Sequence, residues 1–233
     1  EFVLSEPDAD EAAEKETADI PEAFRKSTRL SQHIAFLKDF FRCYKDFSDA
    51  EIDTIEILLT QLYRSFGIND YALCEEAYEN FEASKKEIYT EETLQRVCLG
   101  IHSMCVGAES RFFNGHTNIK ADDFLCFGVK GLMDTNKKLK DAMLFNILSY
   151  MSNLLLSRGN TLAAIDELYL FLSNMTAIEY IRNGMKRDRK KDSSIAIASQ
   201  NVEDFLIPAV KEYTKPLFSI PTHQFLFHAG QIN

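Results

Sequence analysis

An α/β fold is predicted: part of a parallel sheet with helices on both faces, preceded by an all-α domain. Three observations predict it. Between Phe24 and Met104 apolar residues recur at three- and four-residue steps, the period of a helix with one buried face. Phe112-Phe113-Asn114-Gly115-His116-Thr117-Asn118 is then turn chemistry. After it, short apolar runs alternate with helical stretches, and such spacing implies right-handed crossovers between parallel strands.

The helical part opens with Ile34, Leu37, Phe41 and Tyr44 on one face. Ser48-Asp49-Ala50-Glu51 is a capping box, in which the Ser side chain accepts from the Glu51 N–H while Glu51 reaches back. The helix it starts is expected to bury Ile52, Ile55, Leu59, Leu62 and Phe66 and to end at Gly67. A third helix is predicted over residues 71–87, with Tyr78 and Phe81. Thr90 caps a fourth, carrying Leu94, Val97, Cys98, Ile101 and Met104. In the α/β part the expected order is strand 124–129, helix 137–156, strand Leu162–Ile165, helix 177–187, strand 194–198, helix 202–213 and strand 224–227. This gives an acidic mobile segment over 1–22, an all-α domain over 23–110 and a partial α/β domain over 111–233.

Composition narrows the function classes. The 233 residues are 45% hydrophobic and 12% aromatic, enough for a packed core. No apolar run approaches the ~20 residues of a membrane span, and 142–156, the longest candidate, is broken by Asn146, Ser149, Ser152 and Asn153. Net charge is −10, but residues 1–22 hold nine acids against Lys15 alone, leaving about −2 for the rest. DNA binding therefore gains no support from net charge. The five cysteines, Cys43, Cys74, Cys98, Cys105 and Cys126, include no Cys-x-x-Cys, and the histidines lack zinc spacing. They read as core thiols in a reducing cytoplasm, Cys98 and Cys105 sharing a buried helix face.

The chemistry-bearing residues sit at strand ends. Leu162-Ala163-Ala164-Ile165 is followed by Asp166-Glu167, and Ile195-Ala196-Ile197-Ala198 by Ser199-Gln200. The carboxyl end of a strand is where ligands bind in open α/β sheets. Nucleotide hydrolysis needs an acid supporting Mg²⁺, a second acid orienting the attacking water, and a polar group sensing the γ-phosphate. A strand tip reaching solvent also carries acids, so the pair gains meaning from its neighbour. No Gly-x-x-x-x-Gly-Lys-Ser/Thr loop is present. The chain starts at Glu1 rather than Met and is expected to be a piece of a longer protein, with that loop upstream.

Taken together, Asp123-Phe124-Leu125-Cys126-Phe127-Gly128-Val129, Ala164-Ile165-Asp166-Glu167-Leu168-Tyr169-Leu170-Phe171, the basic Lys186–Lys191 and Ile197-Ala198-Ser199-Gln200-Asn201-Val202-Glu203-Asp204-Phe205-Leu206 resemble the large VirB-type ATPases of conjugative transfer and type IV secretion, in the Gram-positive conjugative-element branch. That family belongs to the FtsK–HerA group of RecA-like motors. The resemblance implies the later part of a RecA-like sheet preceded by an inserted all-α domain. It also implies ATP and Mg²⁺ as cofactors and a hexamer when intact. Partners would be other transfer-machine components, at the cytoplasmic face of the inner membrane. It makes Asp166 the Mg²⁺-supporting acid, Glu167 the catalytic acid, and Gln200 a contact to the γ-phosphate or attacking water. Arg189 becomes the arginine finger offered to an adjacent subunit. The family's aromatic and glycine after that Arg-Lys are here Lys191 and Asp192, so Arg182 and Arg187 compete for the role. A solvated helix C-terminus is the plain alternative for the whole basic run. His223 and His228 flank the last predicted strand on opposite faces, and Lys130 reads as a surface lysine. Without its phosphate loop the chain is expected not to turn over ATP alone. The rival reading is a non-catalytic interaction scaffold.

Overall fold

The computed structural model describes residues 29–66, 89–115, 119, 123–172, 174–201, 203–208 and 210–227, and the chain divides into two compact units, 1–128 and 129–233. The acidic segment, the helix predicted over 71–87, Gly67 and His228 lie outside the described residues.

In the first unit, α1 (Arg29–Tyr44) buries Phe36, Phe40 and Tyr44, four residues apart on one stripe. Their rings follow one another at 6.3 and 6.4 Å between centroids. Phe113, in the single-turn α4 (Ser110–Phe113), stands edge-on to Phe40 and Tyr44 at 5.8 and 5.6 Å. The Tyr44 hydroxyl donates to the Glu109 carboxylate, and burial and that carboxylate together push the phenol well above its ordinary range. The capping box opens α2 (Asp49–Ser65) as expected: the Ser48 N–H donates to Glu51 at 2.7 Å and the Glu51 N–H to the Ser48 hydroxyl at 3.4 Å. Thr90 caps α3 (Glu91–Cys105) by accepting from the Thr93 N–H at 3.2 Å.

A small core of Ile52, Ile55 and Val97 joins α2 to α3, with Phe41 and Phe47 against it. Gly100 is required there, because a Cβ would overlap the Phe47 ring. Two expectations fail in this unit. Leu62 and Phe66 are exposed, since the buried stripe of α2 ends near Leu59, a turn before the helix does. Cys98 and Cys105 are also exposed: they lie off the stripe that Val97 defines, so the face they share is the outer one.

The second unit is built on α5 (Lys137–Ser157), capped by Asn136, whose Oδ1 accepts from the Leu139 N–H at 2.9 Å. A tight turn follows. Gly159 has φ +67°, and a Cβ there would stand 3.0 Å from the Lys191 carbonyl oxygen, which accepts from the Asn160 N–H at 2.9 Å. The chain then forms β1 (Leu162–Ile165), α6 (Met175–Arg187) and β2 (Ser194–Ile197). The strands pair in parallel, Leu162 with Ser194 through to Ile165 with Ile197, as adjacent strands joined by a helical crossover. α7 (Lys211–Ser219) completes the unit. Leu144 and Leu148 of α5, Ile178 and Ile181 of α6, Ile165 and Leu217 make one core. Burying such side chains contributes ~1.5–3 kcal/mol each.

Several expectations are corrected here. Residues 124–129 form no strand: they find no ladder partner among the described residues, Phe124 is 87% exposed, and Val129 instead leads into a 3₁₀ turn, Lys130–Leu132, against the core. Residues 224–227 form none either. Phe225, Leu226 and Phe227 are exposed, and Gln224 donates back to the Phe218 carbonyl at 2.5 Å. The helix expected over 202–213 is replaced by a 3₁₀ turn, Glu203–Phe205, with α7 starting only at Lys211. Pro208 explains the break, since the residue before a proline is driven out of helical geometry. The sheet is also covered on one face rather than two among the described residues. Ile165, Ile195 and Ile197 pack inward, whereas Leu162, Ala164, Ser194 and Ala196 are exposed.

Candidate functional site

Both strands run toward the same rim, so the residues following them emerge side by side. β1 leads directly to Asp166 and Glu167, and β2 leads through Ala198 and Ser199 to Gln200. Two backbone bonds lace the rim beyond the sheet: the Ala198 N–H donates to Ile165 at 2.8 Å and the Leu168 N–H to Ala198 at 3.0 Å. Glu167 lies between them with φ 54° and ψ 52°, a left-handed conformation that costs a non-glycine residue ~1–2 kcal/mol. Its own N–H donates to Asp166 Oδ1 at 2.9 Å. Leu168 and Phe171 in the following 3₁₀ turn are buried and hold the turn down onto the core.

This turn places the Glu167 carboxylate, half-buried, against the exposed Gln200, whose Nε2 donates to Glu167 Oε1. The second oxygen, Oε2, is shielded from solvent and accepts no hydrogen bond among the described residues. Asp166 is exposed at the rim. Three of the sequence-predicted site residues, Asp166, Glu167 and Gln200, are thus brought together. The left-handed turn itself was missed, although an Asp that can accept from the next N–H, followed by apolar residues at 168 and 171, signals a tight turn rather than a simple strand end.

The other candidates are elsewhere. Arg189 lies in the 3₁₀ turn Asp188–Lys191, which precedes β2 and is bonded to the turn preceding β1 through Lys191 and Asn160. It therefore belongs to the amino-end rim, a strand length (on the order of 10 Å or more) from Gln200's rim. Arg187 is exposed at the end of α6; Arg182 is half-buried, its Nε shielded and without a hydrogen-bond partner among the described residues. Lys130 and His223 are exposed.

Among the described residues no group of three His, Cys, Asp or Glu side chains could hold a metal by itself. Mg²⁺ in phosphoryl-transfer sites is held by one or two carboxylates together with substrate phosphates. A single exposed Asp166 at a strand tip fits that pattern. No helix among the described residues is long and apolar enough to cross a membrane.

No protein-family model matches the sequence, and no curated protein matches it. Among solved structures the chain is similar to VirB4 of Thermoanaerobacter pseudethanolicus, with 31% identity and a TM-score of 0.68 over 83% of this chain. The match covers 56% of that protein, so the chain spans little more than half its length. The fold, a helical assembly with a small parallel sheet, is VirB4-like.

Proposed function

We propose that this chain is part of an ATPase of the type IV secretion and conjugative-transfer class, coupling ATP hydrolysis to DNA or protein translocation. The observation that carries the reading is the meeting of Glu167 and Gln200 at the carboxyl ends of two adjacent parallel strands. The likeness to a VirB4 supports it. In this reading residues 23–110 are an all-α insertion and 111–233 the later portion of a RecA-like domain.

Each residue has a defined task. Water attacks the γ-phosphorus of ATP as the bond to the β–γ bridging oxygen breaks; ADP leaves with that electron pair, and the surplus proton passes to phosphate or solvent. Glu167 accepts a hydrogen bond from the water and holds it in line, a positioning effect. Asp166 is the residue that would hold Mg²⁺, which when bound neutralises charge on the phosphates. Arg189 is assigned as the finger reaching an adjacent subunit, and its place on the opposite rim suits action in trans rather than in its own site.

The test is made in the full-length gene product, once the upstream sequence has been read for a Gly-x-x-x-x-Gly-Lys-Ser/Thr loop. Glu167→Gln is expected to reduce turnover by two orders of magnitude or more while ATP affinity stays within about threefold. It keeps the side chain's shape but removes the charge that orients water. Turnover near that of the unmodified enzyme would refute the assignment of Glu167, whereas absence of that loop from the intact gene would favour the scaffold reading.

A further inference from the structure

The hydrogen bonding around Glu167 distinguishes its two carboxylate oxygens, and the inference drawn from it rests on the ATPase reading. The backbone at this residue has little freedom. Its N–H is held by Asp166, the flanking Ile165 carbonyl and Leu168 N–H are both bonded to Ala198, and Leu168 is buried. What is left to fix is the side chain's own torsions, and Gln200 fixes them by donating to Oε1. Oε2 is left shielded, with no donor among the described residues. A solvent-shielded carboxylate oxygen without a donor is unfavourable. Such an oxygen is an acceptor prepared for a donor that arrives with the substrate.

We propose that Gln200 is a positioning residue: it ties down Oε1 and thereby aims Oε2 as the atom that accepts the hydrogen bond of the attacking water. Gln200 then acts through Glu167 and not by touching the γ-phosphate. Gln200 itself is exposed, so its replacement leaves the core intact.

Two measurements test this, and they fail independently of one another. In the chain itself, the side-chain amide protons of Gln200 are followed by NMR. One is expected to be shifted downfield and slowed in exchange, and to return to the free-amide position in Glu167→Ala. A free-amide position in the unmodified chain overturns the positioning role. In the full-length product, Gln200→Ala is expected to lower kcat at least tenfold. KM and the preference for ATP over ADP should stay within about twofold. In a Glu167→Gln background the same substitution should cost nothing further, because it acts through a carboxylate no longer there. A tenfold loss of ATP-over-ADP preference would mean that Gln200 touches the γ-phosphate, and multiplicative losses in the double variant would mean that the two residues act separately; either overturns the proposal. An inert full-length enzyme with the amide still paired refutes the ATPase reading. A Glu167-dependent enzyme with a free amide refutes the positioning role alone.

Discussion

Glu167 is held in a conformation that glycine adopts freely and glutamate does not, at φ 54°. Asn160 and Asp192, the other non-glycine residues with positive φ among those described, are types that tolerate it. The strain at Glu167 thus stands out, and backbone strain of this kind is stored where a side chain must be aimed. Glu167→Gly should relieve it. The lost bond to Gln200 is at an exposed site and offsets little, so a net gain of about 1 kcal/mol is expected, raising the thermal midpoint of the chain by roughly 2–4 °C. Calorimetry on the two chains checks this, and a lowered midpoint would show that the turn is unstrained. Stability and aim would then oppose each other at one residue. Asp166, Glu167 and Gln200 were legible in the sequence because polar residues directly following two apolar runs had to emerge on one rim once the runs paired. The left-handed turn was harder to read: Asp166 ahead of apolar Leu168 and Phe171 signals a tight turn, but Glu167, not being glycine, does not mark which residue takes the positive φ.

At the scale of elements, the caps were the most legible feature. Ser48–Glu51 and Thr90 are local chemistry, decided within four residues, and both form as read. Ser48→Ala should cost about 1 kcal/mol, read as a lower denaturant midpoint. The box also predicts a pH dependence. The Ser48 hydroxyl and N–H donate to the Glu51 carboxylate and hold its pKa below the ordinary 4.5. A depressed folded-state pKa contributes stability that is fully present above 4.5 and lost as pH falls through the lower folded value. Below about pH 4, therefore, the difference between the unmodified chain and Glu51→Gln should shrink; a constant difference down to pH 2 would rule out the carboxylate's part. Strands were less legible. An apolar run becomes a strand only when a partner presents a matching ladder. Leu162–Ile165 and Ser194–Ile197 find one in each other, whereas 124–129 and 224–227 have the composition without a neighbour among the described residues. The failed helix at 202–213 had its warning in Pro208.

For the whole molecule, the two rims of the sheet separate the proposed chemistry. Glu167 and Gln200 lie at one end of the strands and the turn bearing Arg189 at the other. A guanidinium is always charged and can bond two phosphate oxygens at once, and trans-acting fingers contribute ~10³–10⁵ in rate. Full-length Arg189→Ala and Glu167→Gln subunits, each inactive alone, should regain part of the activity when mixed, because some interfaces then pair an intact Glu167 with an intact Arg189. Absence of recovery in demonstrably mixed oligomers would end the trans assignment, and an active Arg189→Ala enzyme would move it to Arg187 or Arg182.

The half-covered sheet bears on how this chain behaves in a test tube. Among the described residues, two strands pair only with each other, one face carries exposed Leu162, and Phe225, Leu226 and Phe227 stand in solvent nearby in sequence to α7. Unpaired strand edges and apolar side chains are sticky, and what keeps copies apart is mutual repulsion from a net charge of −10. That repulsion vanishes at the isoelectric point, about 5.0. Light scattering from the chain should therefore rise steeply as pH approaches 5 and, at neutral pH, as salt screens the charge. A Phe225→Ser, Phe227→Ser double variant should scatter less at the same pH, and equal scattering would place the adhesive surface elsewhere.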